Sequence, residues 1–197
     1  MKRRMVLLAL LPGCSVLPDR PYVEPRRFPL EPRRSAAQPG RTGAPVLLLR
    51  AMRAGSALEL RGLRRLRADG TVFIEPYAEW AAPPPEAAEA ALREWLRRSG
   101  LFSAVTAPGT RLTAGLVMEG ELLTLEATDG MARAALSILL IDEGAGQPRL
   151  LGQAVVQGQA PVAGAGVDAA ARGMAAALSD AFQGLEAQLS GLLASRR

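Results

Sequence analysis

The chain has 197 residues, with 24 Lys or Arg, 19 Asp or Glu, one cysteine and no histidine. Lacking histidine, and with Cys14 as its sole thiol, it offers no Cys/His metal cluster, no internal disulfide and no histidine-based catalytic relay. The net charge of +5 overstates its basicity: without Lys2, Arg3 and Arg4, which sit in a removable leader, 21 basic and 19 acidic residues leave about +2, weak grounds for nucleic-acid binding.

The leader is read from Lys-Arg-Arg at residues 2–4, the apolar run Met5–Leu11, and then Pro12, Gly13 and Cys14. A positive start, a short apolar stretch and a small residue before the cut are the marks of an export signal. As helix, that run rises only about 10 Å against roughly 30 Å of bilayer hydrocarbon, so it is not a permanent span. A cysteine directly behind the small residue resembles a lipobox. Residues 1–13 are therefore expected to be cleaved between Gly13 and Cys14, and Cys14 to carry palmitate-type acyl chains as a stable anchor. Pro12 departs from the Ala, Ser or Thr usual at its place. Ser15 resembles the residue that permits sorting to the outer membrane, which implies that the domain faces the periplasm from there.

Residues 14–44 contain Pro18, Pro21, Pro25, Pro29, Pro32 and Pro39 together with Arg26, Arg27, Arg33 and Arg34. Proline fixes φ and removes a donor, so this stretch is expected to be an extended, semi-rigid tether of about 3.1 Å per residue. Within it, Phe28 to Glu31 could dock as an edge strand that tolerates Pro29.

The folded domain is expected over residues 45–195. Val46–Leu49 is a short apolar run fit for a buried strand. Segments Leu58 to Arg67 and Thr71 to Ala78 flank Asp69-Gly70, a hairpin cue. Pro83-Pro84-Pro85 introduces a helix whose Ala88, Leu92, Trp95 and Leu96 share one face, with Glu89/Arg93 and Glu94/Arg98 spaced for i,i+4 pairing and Gly100 placed to stop it.

Next come a short strand over Leu101 to Thr106 and a longer one over Leu116 to Glu126, which sets Leu116, Met118, Leu122 and Thr124 on one side and Glu119 and Glu121 on the other. Beyond Thr128-Asp129-Gly130, Ala132, Ala134, Leu136, Ile138 and Leu140 alternate with polar residues, and Leu150 to Gly158 completes an antiparallel meander. Asp168 can cap a last helix, along which Met174, Leu178, Ala181, Leu185, Leu189 and Leu192 recur at three- and four-residue steps. Gly173, Gly184 and Gly191 weaken it by about 1 kcal/mol each against alanine, so packing must hold it. The expected architecture is a two-layer α/β sandwich, a mainly antiparallel sheet with two amphipathic helices on one face.

With Tyr77-Ala-Glu-Trp80-Ala-Ala-Pro83-Pro, the helix that follows, and Ser99-Gly-Leu-Phe102, the sequence resembles the ABC-type transport auxiliary lipoprotein family from Cys14 almost to its end. The resemblance implies a binding and assembly component and not an enzyme, with no catalytic residue to carry over. No cofactor is implied beyond the covalent lipid on Cys14. The implied partners are an importer-like ABC permease, its ATPase and a periplasmic mammalian-cell-entry (MCE) domain protein that conducts lipids between membranes, which the lipoprotein would dock or tether.

Other residues admit two readings. Tyr77 and Trp80, in a chain poor in aromatics, either offer a partner-binding anchor or seal the strand-to-helix corner. Glu75, Glu79, Glu119 and Glu121 invite an acid–base reading as an envelope hydrolase, against the plainer one of solvated strand faces. Arg61, Arg64, Arg65 and Arg67 would meet an anionic surface or, more simply, keep an edge strand soluble. Gly144-Ala-Gly146 and Gly164-Ala-Gly166 lack the lysine and hydroxyl pattern of a phosphate loop and read as turns. An accessory role in outer-membrane protein assembly stands as an alternative to transport.

Overall fold

Two long paired strands, one of them alternating without a break, build the centre of the molecule. The computed structural model describes residues 21–195 except 41, 56, 57 and 145; the expected signal segment, the cleavage site at Gly13 and Cys14, and Ser15 lie outside the described residues. Strands β1 (Arg26–Phe28), β2 (Val46–Leu49), β3 (Arg53–Ala54), β4 (Gly62–Leu66) and β5 (Val72–Trp80) precede helix α1 (Pro84–Arg97). After it come β6 (Ala104–Thr106), β7 (Leu116–Ala127), β8 (Met131–Asp142), β9 (Arg149–Pro161) and helix α2 (Val167–Ser195).

The nine strands form one mixed sheet, which corrects the expectation of a mainly antiparallel one. The β7–β8–β9 meander and the β4–β5 hairpin are antiparallel, as the turn residues indicate. All the other pairings are parallel: β1 with β5, β2 with β6, and β2, β3 and β4 each with β7. Parallel neighbours need long crossovers, and here the chain that separates β2, β3 and β4 from β7 includes α1. β4 lies between β5 and β7, so its arginines do not guard a sheet edge.

Along β8, Ala132, Ala134, Leu136, Ile138 and Leu140 are buried in turn, as period-two patterning requires. β7 keeps that phase only through Leu122. A register shift between Leu122 and Thr124 reverses it, leaving Leu123 exposed and burying Leu125 and Ala127. Thr124 therefore falls out of step with Leu116, Met118 and Leu122, because a bulge adds one residue to one strand.

α1 buries Ala88, Leu92, Trp95 and Leu96 as expected. Glu89 pairs with Arg93 at 2.8 Å, whereas Glu94 takes Arg97 at 3.3 Å in place of Arg98, whose carbonyl is occupied by Gln38 N–H. Beyond the helix, Ser99 Oγ donates to Leu96 O at 2.7 Å and Gly100 adopts φ +73°, its α-carbon so close to Pro39 O that an added Cβ would lie 2.8 Å away. Phe102 then enters the core. The Ser-Gly-Leu-Phe motif is thus a turn in which Ser99, Gly100 and Phe102 each have a structural duty.

α2 packs on β9, β8 and β7 and meets α1 where the Trp95 and Phe182 rings contact edge to face with centroids 5.5 Å apart. Asp168 lies inside its first turn and not at the cap, and its carboxylate receives Arg26. Of the three helix glycines, Gly173 is the closely packed one, since an added Cβ would lie 3.0 Å from Val162 and 3.2 Å from Ala132. Gly184 and Gly191 face open space. The tightest approach is at Gly158 of β9, where a Cβ would collide with the backbone of Ala177 and Ala181.

Gly158→Ala is therefore expected to destabilise the domain by about 1–3 kcal/mol through overpacking, and Gly184→Ala to stabilise it by up to about 1 kcal/mol through helix propensity. Urea unfolding midpoints of the two variants check both signs.

Candidate functional site

The proline- and arginine-rich segment that composition marks as a tether is docked from Arg26 onward. β1 pairs in parallel with Ala78–Trp80 of β5, and Ala81 N–H donates to Phe28 O at 2.8 Å. The chain then runs as a strap over the seam between the helices. Leu30 is buried, Arg33 N–H donates to Ser179 Oγ on α2 at 2.9 Å, and Gln38 N–H donates to Arg98 O at the end of α1 at 2.9 Å. Prolines suit such a strap because its extended backbone forms no ladder that a missing N–H would break.

A latch holds the strap at its middle. The Arg34 guanidinium forms a two-pronged ion pair with Glu186 of α2, with Nη2 at 3.0 Å from Oε1 and Nη1 on Oε2. Its Nε donates to Ala36 O at 2.6 Å, and its Cζ lies over the Trp95 ring, 5.4 Å from the centroid. Trp95 Nε1–H donates to Glu186 Oε2 at 2.9 Å. Strap, α1 and α2 thus converge on one carboxylate, with the Arg34 and Glu186 side chains only 9% and 18% exposed. Fork-to-fork geometry and a ring beneath the guanidinium are arrangements that lysine cannot reproduce. Two further ties fix β1: Arg26 to Asp168 at 2.5 Å and Arg27 to Glu79 at 2.8 Å. The hydrogen bond from Arg26 holds the Asp168 carboxyl below the usual carboxylate range.

A groove opens on each side of the strap. Toward α2 there is one of about 550 Å³, and toward α1 one of about 380 Å³ whose lining includes Pro32, Ala87, Ala91 and Trp95.

Residues singled out in the sequence fall into different places. Trp80 is 1% exposed and belongs to the core, so it offers no surface to a partner; Tyr77, three residues earlier, is 57% exposed. Tyr77 has φ +56°, the sole positive value at a non-glycine among the described residues, at an arch where the β4–β5 register jumps from Ile74↔Arg64 to Glu79↔Gly62. Holding a tyrosine there costs roughly 1–2 kcal/mol. The four glutamates do not form one constellation, because each faces its own arginine: Glu75 with Arg65, Glu79 with Arg27, Glu119 with Arg50 and Glu121 with Arg53. Arg65 also pairs with Asp129, and Arg67 lies 4.4 Å over the Phe73 ring. The latch itself escaped the sequence, in which Arg34 looked like linker charge and Trp95 like plain core. Its one signal was Glu186, an acid between the core residues Leu185 and Leu189.

Removing one latch partner leaves a mostly buried charge uncompensated. Arg34→Met is expected to cost roughly 2–4 kcal/mol, and adding Glu186→Leu to restore part of that loss, a coupling that a double-mutant cycle in urea measures.

A match to the family model described as the ABC-type transport auxiliary lipoprotein component spans residues 28–189, from the first residues of the strap through most of α2. Among curated proteins none matches the sequence. The fold is similar to that of protein XCC0632 from Xanthomonas campestris in its crystal structure, at TM-score 0.68 and 16% identity over 88% of this chain and 98% of that one. It is similar also to a crystal structure of an uncharacterized protein, at TM-score 0.57 and 15% identity over 78% of this chain and 92% of that one. At such identities the likeness is one of fold, while the family match covers most of the sequence: the chain belongs to the ABC-type transport auxiliary lipoprotein component family.

Proposed function

We propose that this protein is anchored by acyl chains on Cys14 to the periplasmic face of the outer membrane, and there docks or tethers the periplasmic apparatus of an MCE-type ABC system that moves lipids or other hydrophobic cargo. The observation that carries this reading is the extent of the family match, which takes in the strap as well as both helices. Strap and domain are one unit, so a force or a partner acting on the domain acts directly on the segment that leads to Cys14.

In this role the protein performs no turnover. The distant ATPase supplies energy, the MCE-domain protein supplies the conduit, and the lipoprotein supplies position. Tyr77 is the proposed partner contact: an exposed aromatic at the top of a strained arch costs stability, and such outliers are found where a fixed side-chain presentation is used.

Two experiments test these statements. Cross-linking the intact envelope and purifying the lipoprotein is expected to recover an MCE-domain protein or its permease, and Cys14→Ser to abolish fatty-acid labelling and release the chain from the membrane fraction. Recovery of neither component from intact lipoprotein sinks the transport reading. Tyr77→Gly relieves the left-handed strain, so it is expected to hold or raise the unfolding free energy, by up to about 1 kcal/mol, while lowering partner recovery; undiminished recovery removes Tyr77 from the contact.

A further inference from the structure

The groove on the α2 side of the strap has a chemistry that the latch does not use. Its volume of about 550 Å³ lies within the range of small-molecule sites. Phe28 and Pro29 of the strap line it together with Ala175 and Ala176 of α2, giving a trough that is mostly apolar. Arg33 and Arg172 also line it, and both are exposed. Neither forms an ion pair among the described residues, unlike Arg26, Arg27 and Arg34 nearby. Asp168, which attracts Arg172 along the helix, is already bound to Arg26. Glu31 is the lining's single carboxylate against two guanidiniums, so the mouth keeps a surplus of positive charge.

An apolar trough with free guanidiniums complements an amphiphile with an anionic head. The hydrocarbon would lie against the alanines, and the head would take the planar donors that suit phosphate oxygens. We infer that this groove holds an acyl chain of an anionic phospholipid drawn from the bilayer, with its phosphodiester on Arg33 and Arg172. The bilayer is the source because the wall of the groove is the strap itself, and only eleven residues lie between Cys14 and Arg26, a reach of about 40 Å at most. That choice of source rests on the anchoring proposed above; the binding chemistry does not. The protein would then do more than position a conduit: it would present single lipids beside it.

The test uses the full-length protein in native membranes and a phosphatidylglycerol carrying a photoreactive group near the end of one acyl chain, with the phosphatidylcholine analogue as comparison. After irradiation, adducts are located by peptide mass spectrometry. Phosphatidylglycerol adducts are expected to concentrate on residues 28–33 and 171–179. Ala176→Trp, at an exposed position outside the core, is expected to fill the trough and lower those adducts about tenfold. The Arg33→Glu/Arg172→Glu variant is expected to erase the preference for the anionic head, also about tenfold, with its unfolding midpoint unchanged. Adducts spread over the whole surface, equal for both heads, or indifferent to Ala176→Trp overturn the inference. Partner recovery is scored separately in the same membranes: groove labelling without a transport partner defeats only the transport reading, and recovered partner without groove labelling defeats only this one.

Discussion

The sheet is organised about the two edges of β7, with which β2, β3, β4 and β8 all pair. One edge pairs with β8 from Leu116↔Asp142 to Ala127↔Ala132. The other receives β2 at Leu116–Met118, β3 at Glu121–Leu122 and β4 at Ala127, three short parallel strands set end to end. None of the three is long enough to persist alone, since an isolated short strand cannot offset its ordering entropy. The bulge between Leu122 and Thr124 divides the series, and Gly55 N–H donates to Leu122 O there at 2.8 Å. An added Cβ at Gly55 would lie 2.8 Å from that carbonyl, so the chain can leave β3 at the bulge only through a glycine.

This arrangement leaves the helices with different supports. α2 lies along the meander, close enough at Gly158 for backbone to meet backbone, while α1 is held by β6, β7 and β3. The two meet over a small area, with Trp95 against Phe182 at its centre. A seam so narrow would admit water beside a buried tryptophan N–H. The strap crosses it, and Glu186 answers the Trp95 donor and the Arg34 cation together. Such a carboxylate is stable only with all its partners in place, so the seam and the strap order each other.

What the sequence reveals follows the range of the interaction. The face of α1, the alternation of β8 and the two Asp-Gly turns are local, and periodicity or turn chemistry shows them. Strand direction is not local: nothing in Val46–Leu49 says that its neighbours Ala104–Thr106 and Leu116–Met118 run parallel to it. β3, with two residues, has no period at all. Arg34 and Glu186 are 152 residues apart, and composition cannot tell a proline-rich linker from a proline-rich strap. Tyr77 and Trp80 share a motif and, three residues apart, fall on opposite faces of the strand, but the alternation of Val72–Pro76 reverses phase at Tyr77, whose φ is positive, so the pattern of the preceding residues could not say which ring is buried.

If Cys14 carries the anchor, as proposed, the docked strap also changes the geometry of anchoring. A free proline-rich tether from Cys14 to Ala44 would let the domain stand about 95 Å from the bilayer at 3.1 Å per residue, whereas docking from Arg26 limits the free contour to about 37 Å. A shorter leash raises the concentration at which an anchored domain meets anything fixed near the same surface, since that concentration falls steeply with linker length. If the role is to hold a conduit against one membrane, the segment nearest the anchor should therefore be spent on the fold and not left as slack. Arg34 holds the middle of the docked strap, while the pairing of β1 with β5 and the ties of Arg26 and Arg27 hold its start.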